Sequence, residues 1–489
     1  MRRVALVLAS ALLALPSTAG ANNVEIGDSG RSLFVFAQPG EVNNVTVTRS
    51  GNTFTVTDSG ATLNPGPGCA AVNANQVTCS ATGVGGIKIS LGDMNDVGTI
   101  GASVTPMPLD SFYAEDVEIE GEAGADVLNG GPNVRNTLHG GFDFSFVADN
   151  SPDVLIGGAL GDDLNGGEGN DTLSAGAGDF DSLDGGLGND VMNGGPGRDS
   201  FEDSGEPDGA DTMSGGQDID SVRYERQGGV RVALNGVADD GESCPGAACE
   251  KDNVQPDVEN IQTGDGNDVI IGSGAPNGIF TGDGDDVVDG GAGDDNIFTS
   301  RGEDSLLGGV GDDTLFGDQD ADLIRGAAGD DTLFSGEFDD DPDAVFGGTG
   351  VDVADYTGAG GAVRVSLDNK PNDGVTDEGD NVHRDVEDIL GSRFSDTLVG
   401  SKFANQLEGG NGRDRIRGLG GADGLIGGRG ADLLVAGGGN DTLDSGAGPD
   451  RLLARGGGRD DLSCGSSVDR GKADRRDRLA GDCDRVKLR

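Results

Sequence analysis

The amino-acid sequence predicts an all-β fold: a parallel β-roll, or β-solenoid, of nonapeptide repeats, with a small N-terminal β unit and two inserted β segments. Glycine supplies 92 of the 489 residues, far above its usual share of about 7%. An aliphatic residue recurs every nine residues over long stretches, and an aspartate stands two places before it. High acidity would also suit a disordered chain, but disorder gives no reason to keep this register.

The repeats are most regular in two stretches. Rows of nine residues align without a gap over 263–334, as in TGDGNDVII and GGVGDDTLF, and over 391–453, as in GGNGRDRIR. Across these fifteen rows the sixth place is Asp in thirteen and Asn in two, and the eighth place is Ile, Leu or Val in all fifteen. A less regular array over about 121–222 includes GGEGNDTLS and GGLGNDVMN. Repetition at a fixed short period predicts a solenoid.

Each repeat divides into a strand and a turn. The x-Asp-x-U-x part, where U is aliphatic, alternates polar and apolar residues and predicts a short strand with the eighth residue inside. The glycine-rich part must reverse the chain in few residues, which glycine allows. Two repeats then make one flattened turn, and successive turns stack as parallel strands about 4.8 Å apart. Sixth-place residues eighteen apart should therefore form two files, one with Asp268, Asp286, Asp304 and Asp322, the other with Asn277, Asp295, Asp313 and Asp331.

The remaining stretches complete the predicted organisation. Two interruptions resemble each other, YERQGGVRVALNGVADDG and YTGAGGAVRVSLDNKPNDG, and each contains an alternating strand. The predicted segments are a signal peptide (1–21), an N-terminal β-rich cap (22–120), a first array (121–222), an insert (223–262), a second array (263–354), an insert (355–390), a third array (391–463) and a basic C-terminal cap (464–489).

The N-terminus has the pattern of a secretory leader. Arg2 and Arg3 precede the apolar run 4–15, and Ala19 and Ala21 fit a small-residue cleavage site. The apolar run is too short to span a membrane, and no other stretch comes close. We therefore expect a secreted, extracellular protein with no transmembrane segment.

Six cysteines fall into three local pairs. Fifteen connectivities are possible in principle, and an oxidising destination with tight spacing favours the local ones. The pairs lack the C-x-x-C spacing typical of zinc sites, so disulfides are the better interpretation. The predicted bridges are Cys69–Cys79, Cys244–Cys249 and Cys464–Cys483.

The acidity and its spacing point to cations as partners. A formal charge of −54 would repel nucleic acid over most of the surface. Carboxylates about 5 Å apart repel by around 1 kcal/mol even in water, and by more in a partly buried loop. Calcium suits such loops because it takes six to eight oxygens at about 2.3–2.6 Å and tolerates irregular geometry, whereas magnesium demands a tighter octahedron.

These rows resemble the hemolysin-type calcium-binding (RTX) repeat, whose pattern is GGxGxDxUx. The resemblance covers roughly 121–463 apart from the inserts, and it implies a parallel β-roll with several Ca²⁺ ions in the loops. The aspartates that the resemblance assigns to calcium are Asp126, Asp171, Asp190, Asp199, Asp268, Asp286, Asp295, Asp304, Asp313, Asp322, Asp331, Asp396, Asp414, Asp423, Asp432, Asp441 and Asp450.

Some repeats depart from the pattern. Asn277 and Asn405 replace the aspartate, which predicts weaker sites there. Phe394 and Phe403 stand where glycine is expected, which favours empty loops. Arginines in the third array lower its charge, and ion pairs could replace some calcium there: Arg413, Arg415, Arg417 and Arg429.

The sequence favours a binding or structural role over catalysis. The resemblance does not extend to a toxin, because RTX toxins and proteases usually lack an N-terminal leader, and the chain contains no HExxH motif. Neither His139 nor His383 lies near a nucleophile motif. We expect a non-enzymatic, calcium-dependent structural or adhesive protein that folds on binding calcium, with extracellular glycan or cell-surface material as a further partner. The alternative is a secreted carbohydrate-active enzyme, similar to polysaccharide lyases or epimerases, that carries RTX modules.

Overall fold

The structure is a computed structural model that describes residues 21–27, 31–105, 117–141, 150–203, 209–226, 228–242, 251–336, 341–376, 378–483 and 485–488. The chain forms two compact units, residues 1–201 with 215–218 and residues 202–214 with 219–489. The predicted leader, except its last residue, and the predicted Cys244–Cys249 bridge lie outside the described residues.

The described secondary structure consists of strands and contains no helix. In chain order the strands are β1 (Ala21–Gly27), β2 (Ser32–Phe36), β3 (Asn44–Ser50), β4 (Thr53–Asp58), β5 (Thr62–Pro65), β6 (Cys69–Asn73), β7 (Gln76–Ser80), β8 (Gly86–Ser90), β9 (Val97–Ile100), β10 (Val117–Glu122), β11 (Val127–Asn129), β12 (Asn136–Gly141), β13 (Val154–Gly158), β14 (Asp163–Glu168), β15 (Thr172–Gly176), β16 (Ser182–Leu187), β17 (Val191–Pro196), β18 (Ser200–Asp203), β19 (Thr212–Gln217), β20 (Ser221–Tyr224), β21 (Val230–Ala233), β22 (Gly241–Glu242), β23 (Asn253–Val254), β24 (Asn260–Gln262), β25 (Val269–Ile271), β26 (Gly278–Phe280), β27 (Val287–Ala292), β28 (Asn296–Phe298), β29 (Ser305–Val310), β30 (Thr314–Phe316), β31 (Leu323–Ala328), β32 (Thr332–Phe334), β33 (Ala344–Thr349), β34 (Val353–Asp355), β35 (Arg364–Ser366), β36 (Asn381–Val382), β37 (Asp388–Leu390), β38 (Thr397–Val399), β39 (Gln406–Glu408), β40 (Asn411–Gly412), β41 (Arg415–Gly420), β42 (Gly424–Ile426), β43 (Arg429–Gly430), β44 (Leu433–Gly438), β45 (Thr442–Asp444), β46 (Arg451–Ala454), β47 (Asp461–Ser463), β48 (Arg470–Ala473), β49 (Arg478–Leu479) and β50 (Val486–Leu488).

The first unit begins with antiparallel strands. β3 and β4 form a hairpin in which Val and Thr alternate, with Val47 opposite Val56. β6 and β7 pair antiparallel, and a disulfide joins Cys69 to Cys79 across them. β1 and β2 also pair antiparallel.

Parallel stacking in the first unit starts earlier than the array pattern indicates. β8 pairs with β10, and β9 pairs with β11, both in parallel. The stack then continues through β12, β14 and β16 on one side and through β13, β15 and β17 on the other. The last strands of the predicted cap are therefore already part of the solenoid.

The second unit contains the longest parallel stacks. One sheet runs β20–β24–β26–β28–β30–β32–β34–β37–β39–β42–β45–β47–β49. The opposite side is divided into β21–β25–β27–β29–β31–β33–β36 and β35–β38–β41–β44–β46–β48–β50. The second insert thus interrupts one side of the solenoid while the other side passes through it. The predicted all-β, mainly parallel fold is confirmed.

The core consists of columns of eighth-place side chains. Ile279, Ile297, Leu315 and Leu333 line one sheet and are at most 1% exposed. The opposite sheet supplies an equivalent column, and burial of each such side chain contributes about 1.5–3 kcal/mol. The inserts join this core, because Val232 and Val365 are both fully buried.

A ladder of phenylalanines follows the ninth place of every second repeat. The ring centroids of Phe280 and Phe298 lie 5.0 Å apart, those of Phe298 and Phe316 4.4 Å, and those of Phe316 and Phe334 4.0 Å. The rings are nearly parallel, so the eighteen-residue register is kept on the outside of the sheet as well as in the core. Stacked aromatic pairs add about 0.5–1.5 kcal/mol each beyond their buried area.

A second disulfide lies near the C-terminus, where Cys464 is bonded to Cys483. None of the described residues belongs to a helix long and apolar enough to cross a membrane.

Removal of one core side chain should destabilise the stack strongly. We expect Leu315→Ala to lower the free energy of unfolding by about 2–5 kcal/mol, because it leaves a cavity between two rungs. Urea unfolding of calcium-loaded protein measures this loss. The matched control is Val310→Ala, since Val310 is 62% exposed and should change stability little. Equal effects of the two variants would contradict the observed core.

Candidate metal centre

The sixth-place aspartates lie inside the solenoid. Strand alternation places the sixth and eighth residues on the same side of the strand. Each aspartate therefore points into the interior two residues before the core aliphatic residue. All the aspartates that the sequence assigned to calcium are buried, with 0–3% of their surface exposed. Buried ionised carboxylates require compensation from donors or cations.

One carboxylate oxygen of each aspartate binds the backbone of the preceding rung. The N–H of Asp268 donates to Oδ1 of Asp286 at 2.8 Å, and the N–H of Asp286 donates to Oδ1 of Asp304 at 2.8 Å. On the other edge, the N–H of Asp295 donates to Oδ1 of Asp313 at 2.8 Å, and that of Asp313 donates to Asp331 at 2.9 Å. The predicted files exist, and each is tied together by carboxylate–amide bonds between residues eighteen apart.

The same bonds order the other arrays. The first unit brings together Asp96, Asp126, Asp153, Asp171 and Asp190 in one file and Asp162, Asp181 and Asp199 in the other. The third array brings together Asp396, Asp414, Asp432, Asp450 and Asp469 in one file and Asp423, Asp441 and Asp460 in the other.

Several members of these files were not predicted from the sequence, among them Asp153, Asp181, Asp352 and Asp469. Short insertions displace Asp181, Asp352 and Asp469 from strict nine-residue rows, as in AGAGDFDSLD at 175–184, whereas Asp153 keeps the spacing of eighteen residues to Asp171. The usable signal was local, since Asp181 still stands two places before the buried Leu183. A search for Asp-x-aliphatic without a fixed loop length would have found it.

The second carboxylate oxygen faces the turn of its own repeat. In the second and third arrays this Oδ2 is buried and makes no hydrogen bond at Asp295, Asp313, Asp414, Asp423 and Asp432. A Cβ placed on Gly290, the first residue of the repeat, would lie 2.5 Å from Oδ2 of Asp295. We call such turns open loops, because a buried carboxylate oxygen is presented to them without a donor.

Backbone oxygens of the previous rung line the same loops. Gly311 has φ 141°, and a Cβ there would overlap the carbonyl oxygen of Gly293, eighteen residues earlier. Gly439 and Gly421 repeat this relation in the third array. Only glycine permits this approach, which places carbonyl oxygens beside the carboxylate. Several neutral oxygens and one anionic oxygen form a donor set that fits calcium.

Burial makes these carboxyl groups weak acids in the absence of metal. It raises the pKa of Asp286, Asp313 and Asp414 from 3.8 to about 7, and neighbouring aspartates of the same file add to the rise. The inter-rung amide bond acts in the opposite direction but does not cancel the effect of burial. A folded, metal-free file therefore retains protons near neutral pH.

Three loops are closed by serine instead. The N–H of Ser273 donates to Oδ1 of Asn277 at 2.7 Å, and Ser401 does the same to Asn405 at 2.6 Å. Ser392 N–H donates to Oδ2 of Asp396 at 2.7 Å. We call these serine-closed loops.

The serine-closed loops include all four departures noted in the sequence. Phe394 and Phe403 lie in two of them, and Asn277 and Asn405 supply the oxygen in two. Asp396 keeps the inter-rung bond, since Oδ1 accepts the N–H of Val363 at 2.8 Å, but it differs from the open-loop aspartates because its Oδ2 accepts the N–H of Ser392.

The two inserts place a tyrosine against the corresponding oxygen. Asp380 accepts the N–H of Asp343 through Oδ1 at 3.1 Å, as in an ordinary rung, and the hydroxyl of Tyr356 donates to its Oδ2 at 3.0 Å. Tyr224 and Asp252 repeat the arrangement at 3.4 Å. We call these tyrosine rungs, since a buried hydroxyl supplies the donor there.

The arginines of the third array do not replace calcium by ion pairs, contrary to the expectation. Arg415 and Arg417 flank the core residue Ile416 and project from the outer face of β41. Within the described part of the chain, neither these two nor Arg413 and Arg429 form an ion pair with a carboxylate. The period-two alternation of the strand, which the charge argument ignored, decides the direction of Arg415 and Arg417.

A comparison with known families identifies the repeat. The model of the RTX calcium-binding nonapeptide repeat matches residues 114–133, 148–179, 180–201, 256–275, 277–306, 307–342, 390–425 and 418–452.

The chain contains several copies of the RTX calcium-binding repeat. Repeats of this family bind calcium, and they are generally structural rather than catalytic. The matched segments contain the open loops described above, so the family and the geometry agree on the same oxygens. No curated protein matched the chain.

Neutralising one open-loop aspartate should weaken calcium binding without disturbing the metal-free file. In Asp313→Asn, the amide oxygen can still accept the N–H of Asp295, but the loop loses its anionic oxygen. We expect a calcium midpoint raised by about tenfold, equivalent to about 1.4 kcal/mol, or one ion fewer by native mass spectrometry. Asp461→Asn, on the exposed outer face, is the charge-matched control. An unchanged midpoint in Asp313→Asn would exclude this loop as a site.

The raised pKa values predict how metal-free stability depends on pH. Folded aspartates with a pKa of about 6 to 7 bind protons more tightly than unfolded ones near 3.8. The stability that these groups contribute to the folded, metal-free state is therefore fully present below about pH 4 and is lost as the pH rises to about 7.

We expect the melting temperature in chelator to fall between pH 4.5 and pH 7.5. The measurement is made in about 1 M salt, where the Debye length is about 3 Å. Repulsion between surface charges is then screened, whereas interactions of buried groups are not. A melting temperature that rose over this range would contradict the burial of these carboxyl groups.

Proposed function

We propose that this RTX-repeat protein is an extracellular structural or adhesive protein whose roll becomes stable on binding calcium. The observation that carries the proposal is the open loop: a buried carboxylate oxygen without a donor, beside backbone carbonyls, repeated along both edges of the stack. Calcium, when bound, would supply the positive charge that these oxygens lack.

The two carboxylate oxygens of each aspartate would have different roles. Oδ1 holds the register of the folded roll by accepting the amide of the preceding rung. Oδ2 and the carbonyls of stacked loops, such as that of Gly293, would hold the ion. We propose that the sites are Asp295, Asp313, Asp414, Asp423 and Asp432 together with the other open loops, and that Asn277, Asp396 and Asn405 hold none.

The proposed location rests on the leader-like N-terminus and on the disulfides. Arg2, Arg3 and the following apolar run fit a secretory leader. Disulfides such as Cys69–Cys79 and Cys464–Cys483 persist mainly in oxidising compartments. Extracellular calcium modules bind at about 10⁻⁴–10⁻³ M. Low cytoplasmic calcium would then leave the acidic files unpaired before export.

A non-catalytic role is proposed because the features that could suggest catalysis have structural contacts. His383 stacks on Phe346 with ring centroids 3.7 Å apart, and its Nε2 lies 3.0 Å from Nδ2 of Asn381. His139 lies in β12, opposite Asn165 of β14. The buried acids have inter-rung partners and loop positions that suit metal binding. No observation in the described residues favours the lyase or epimerase alternative.

Calcium titration tests the proposal directly. We expect the β-sheet circular dichroism signal to rise in one steep transition as calcium is added to chelated protein, because stacked loops share neighbours and should fill cooperatively. Magnesium at the same concentration is the control and should produce a much smaller change. Equal sheet content in excess chelator at neutral pH would disprove calcium-dependent folding.

A further inference from the structure

The outer face of one sheet, over the third array and the C-terminal cap, is basic although the chain as a whole is strongly acidic. Lysine and arginine number 33 against 87 acidic residues. Yet the seventh and ninth places of β41, β46, β48 and β50 carry no acid. We define the basic face as Arg415, Arg417, Arg451, Arg470, Lys472 and Lys487.

Strand register places these cations in two parallel columns. Arg415 lies opposite Leu433, which lies opposite Arg451, and Arg451 lies opposite Arg470. The second column begins with Arg417, passes two aliphatic residues, and ends with Lys472 opposite Lys487. At about 4.8 Å per rung, Arg415 and Arg451 are roughly 9.6 Å apart along the stack.

The outward places of the opposite sheet are mainly acidic, although Arg478 on β49 is also exposed there. Its outward places carry Asp388, Glu408, Asp444 and Asp461 on β37, β39, β45 and β47. The two faces share one core and the same repeats, so solubility alone would not require the charges to be segregated.

The cations of the basic face are exposed and lack acidic partners. All six are on the exposed surface, and the ion pairs of the described chain involve other residues. Half-exposed Leu433, Val435 and Leu453 lie between the charges. The surface therefore combines separated cations with small apolar patches on a sheet.

We propose that the basic face binds a linear acidic polysaccharide, that is, a sugar chain bearing carboxylate or sulfate groups. Guanidinium groups pair bidentately with such anions, and the aliphatic residues between them can contact the apolar faces of sugar rings. This inference rests on the proposed extracellular role for access to the ligand, and it gives the adhesive function a partner.

Charge density favours a polysaccharide over nucleic acid. Duplex DNA carries one charge per about 1.7 Å of axis. Neighbouring cations of one column are one to three rungs apart, which is about 5–14 Å. A ligand as dense as DNA would leave most of its charges unpaired and facing the acidic surroundings. A sugar chain with about one charge per residue matches the columns more closely.

The test compares two triple variants in calcium-saturated buffer. Arg415→Ser, Arg451→Ser and Arg470→Ser together remove half of the basic face. The control removes three exposed arginines elsewhere in the same unit, Arg384, Arg393 and Arg478, with the same change of charge.

The probes are hyaluronate, which carries only carboxylates, chondroitin sulfate, which adds sulfates, and neutral dextran, together with duplex DNA and phosphatidylglycerol vesicles. We expect wild type and the control variant to bind at least one of the two acidic polysaccharides, and the face variant to bind it at least about tenfold more weakly. Comparing hyaluronate with chondroitin sulfate identifies the anion. Binding of neither, equal binding by the two variants, or preference for DNA or vesicles would overturn the proposal.

Circular dichroism of the same samples separates this inference from the proposed function. A wild type that binds polysaccharide but shows no calcium-dependent folding supports the basic face and contradicts the proposed function. If the triple variant does not fold, Arg470→Glu alone carries the test, with a several-fold loss of polysaccharide binding expected and unchanged binding overturning the proposal.

Discussion

The bond between one carboxylate oxygen and the backbone amide eighteen residues earlier is the constraint on which the solenoid depends. It fixes the register of both edges, as between Asp295 and Asp313 at 2.8 Å. It also buries the aspartate, and burial leaves the other oxygen facing a glycine-rich turn. Structural order and the need for a cation therefore arise from the same side chain. A charged side chain at this position keeps successive rungs in register. The stability of the stack then depends on what occupies the loop.

The loops differ in what meets that second oxygen, and this variation divides the stack. Open loops present it to stacked carbonyls, where calcium suits the donor set. Serine-closed loops satisfy it with a backbone N–H, as Ser392 does for Asp396. Tyrosine rungs satisfy it with a hydroxyl, as Tyr356 does for Asp380. The inserts and the loop of Asp396 thus keep the inter-rung bond, and their second oxygen already has a hydrogen-bond donor. At Asn277 and Asn405 the side-chain Nδ2 donates to a carbonyl of the preceding rung instead. On this interpretation they are points of metal-independent order between calcium-dependent stretches.

The same alternation that buries the aspartates controls the outside of the molecule. Seventh- and ninth-place residues form columns because every rung repeats the register of the last one. In the second array the ninth place forms the stacked phenylalanines from Phe280 to Phe334. In the third array the corresponding places on the opposite sheet form the basic face. A nine-residue repeat therefore fixes a core and a metal edge while leaving two outer faces free to acquire separate chemistry.

The sequence by itself determined the fold class, the two-repeat turn and the two files of aspartates, such as the one that contains Asp313, because the period and the alternation are local properties of the chain. It also indicated weaker loops at Asn277 and Asn405. It could not show which oxygen faces the loop, that Ser392 satisfies Asp396, or that Asp181 and Asp352 belong to the files despite insertions. Only the tertiary structure decided those points, since each depends on contacts between residues of different rungs or on the path of a turn. The direction of Arg415 was decided in the same way, by the strand and not by the charge.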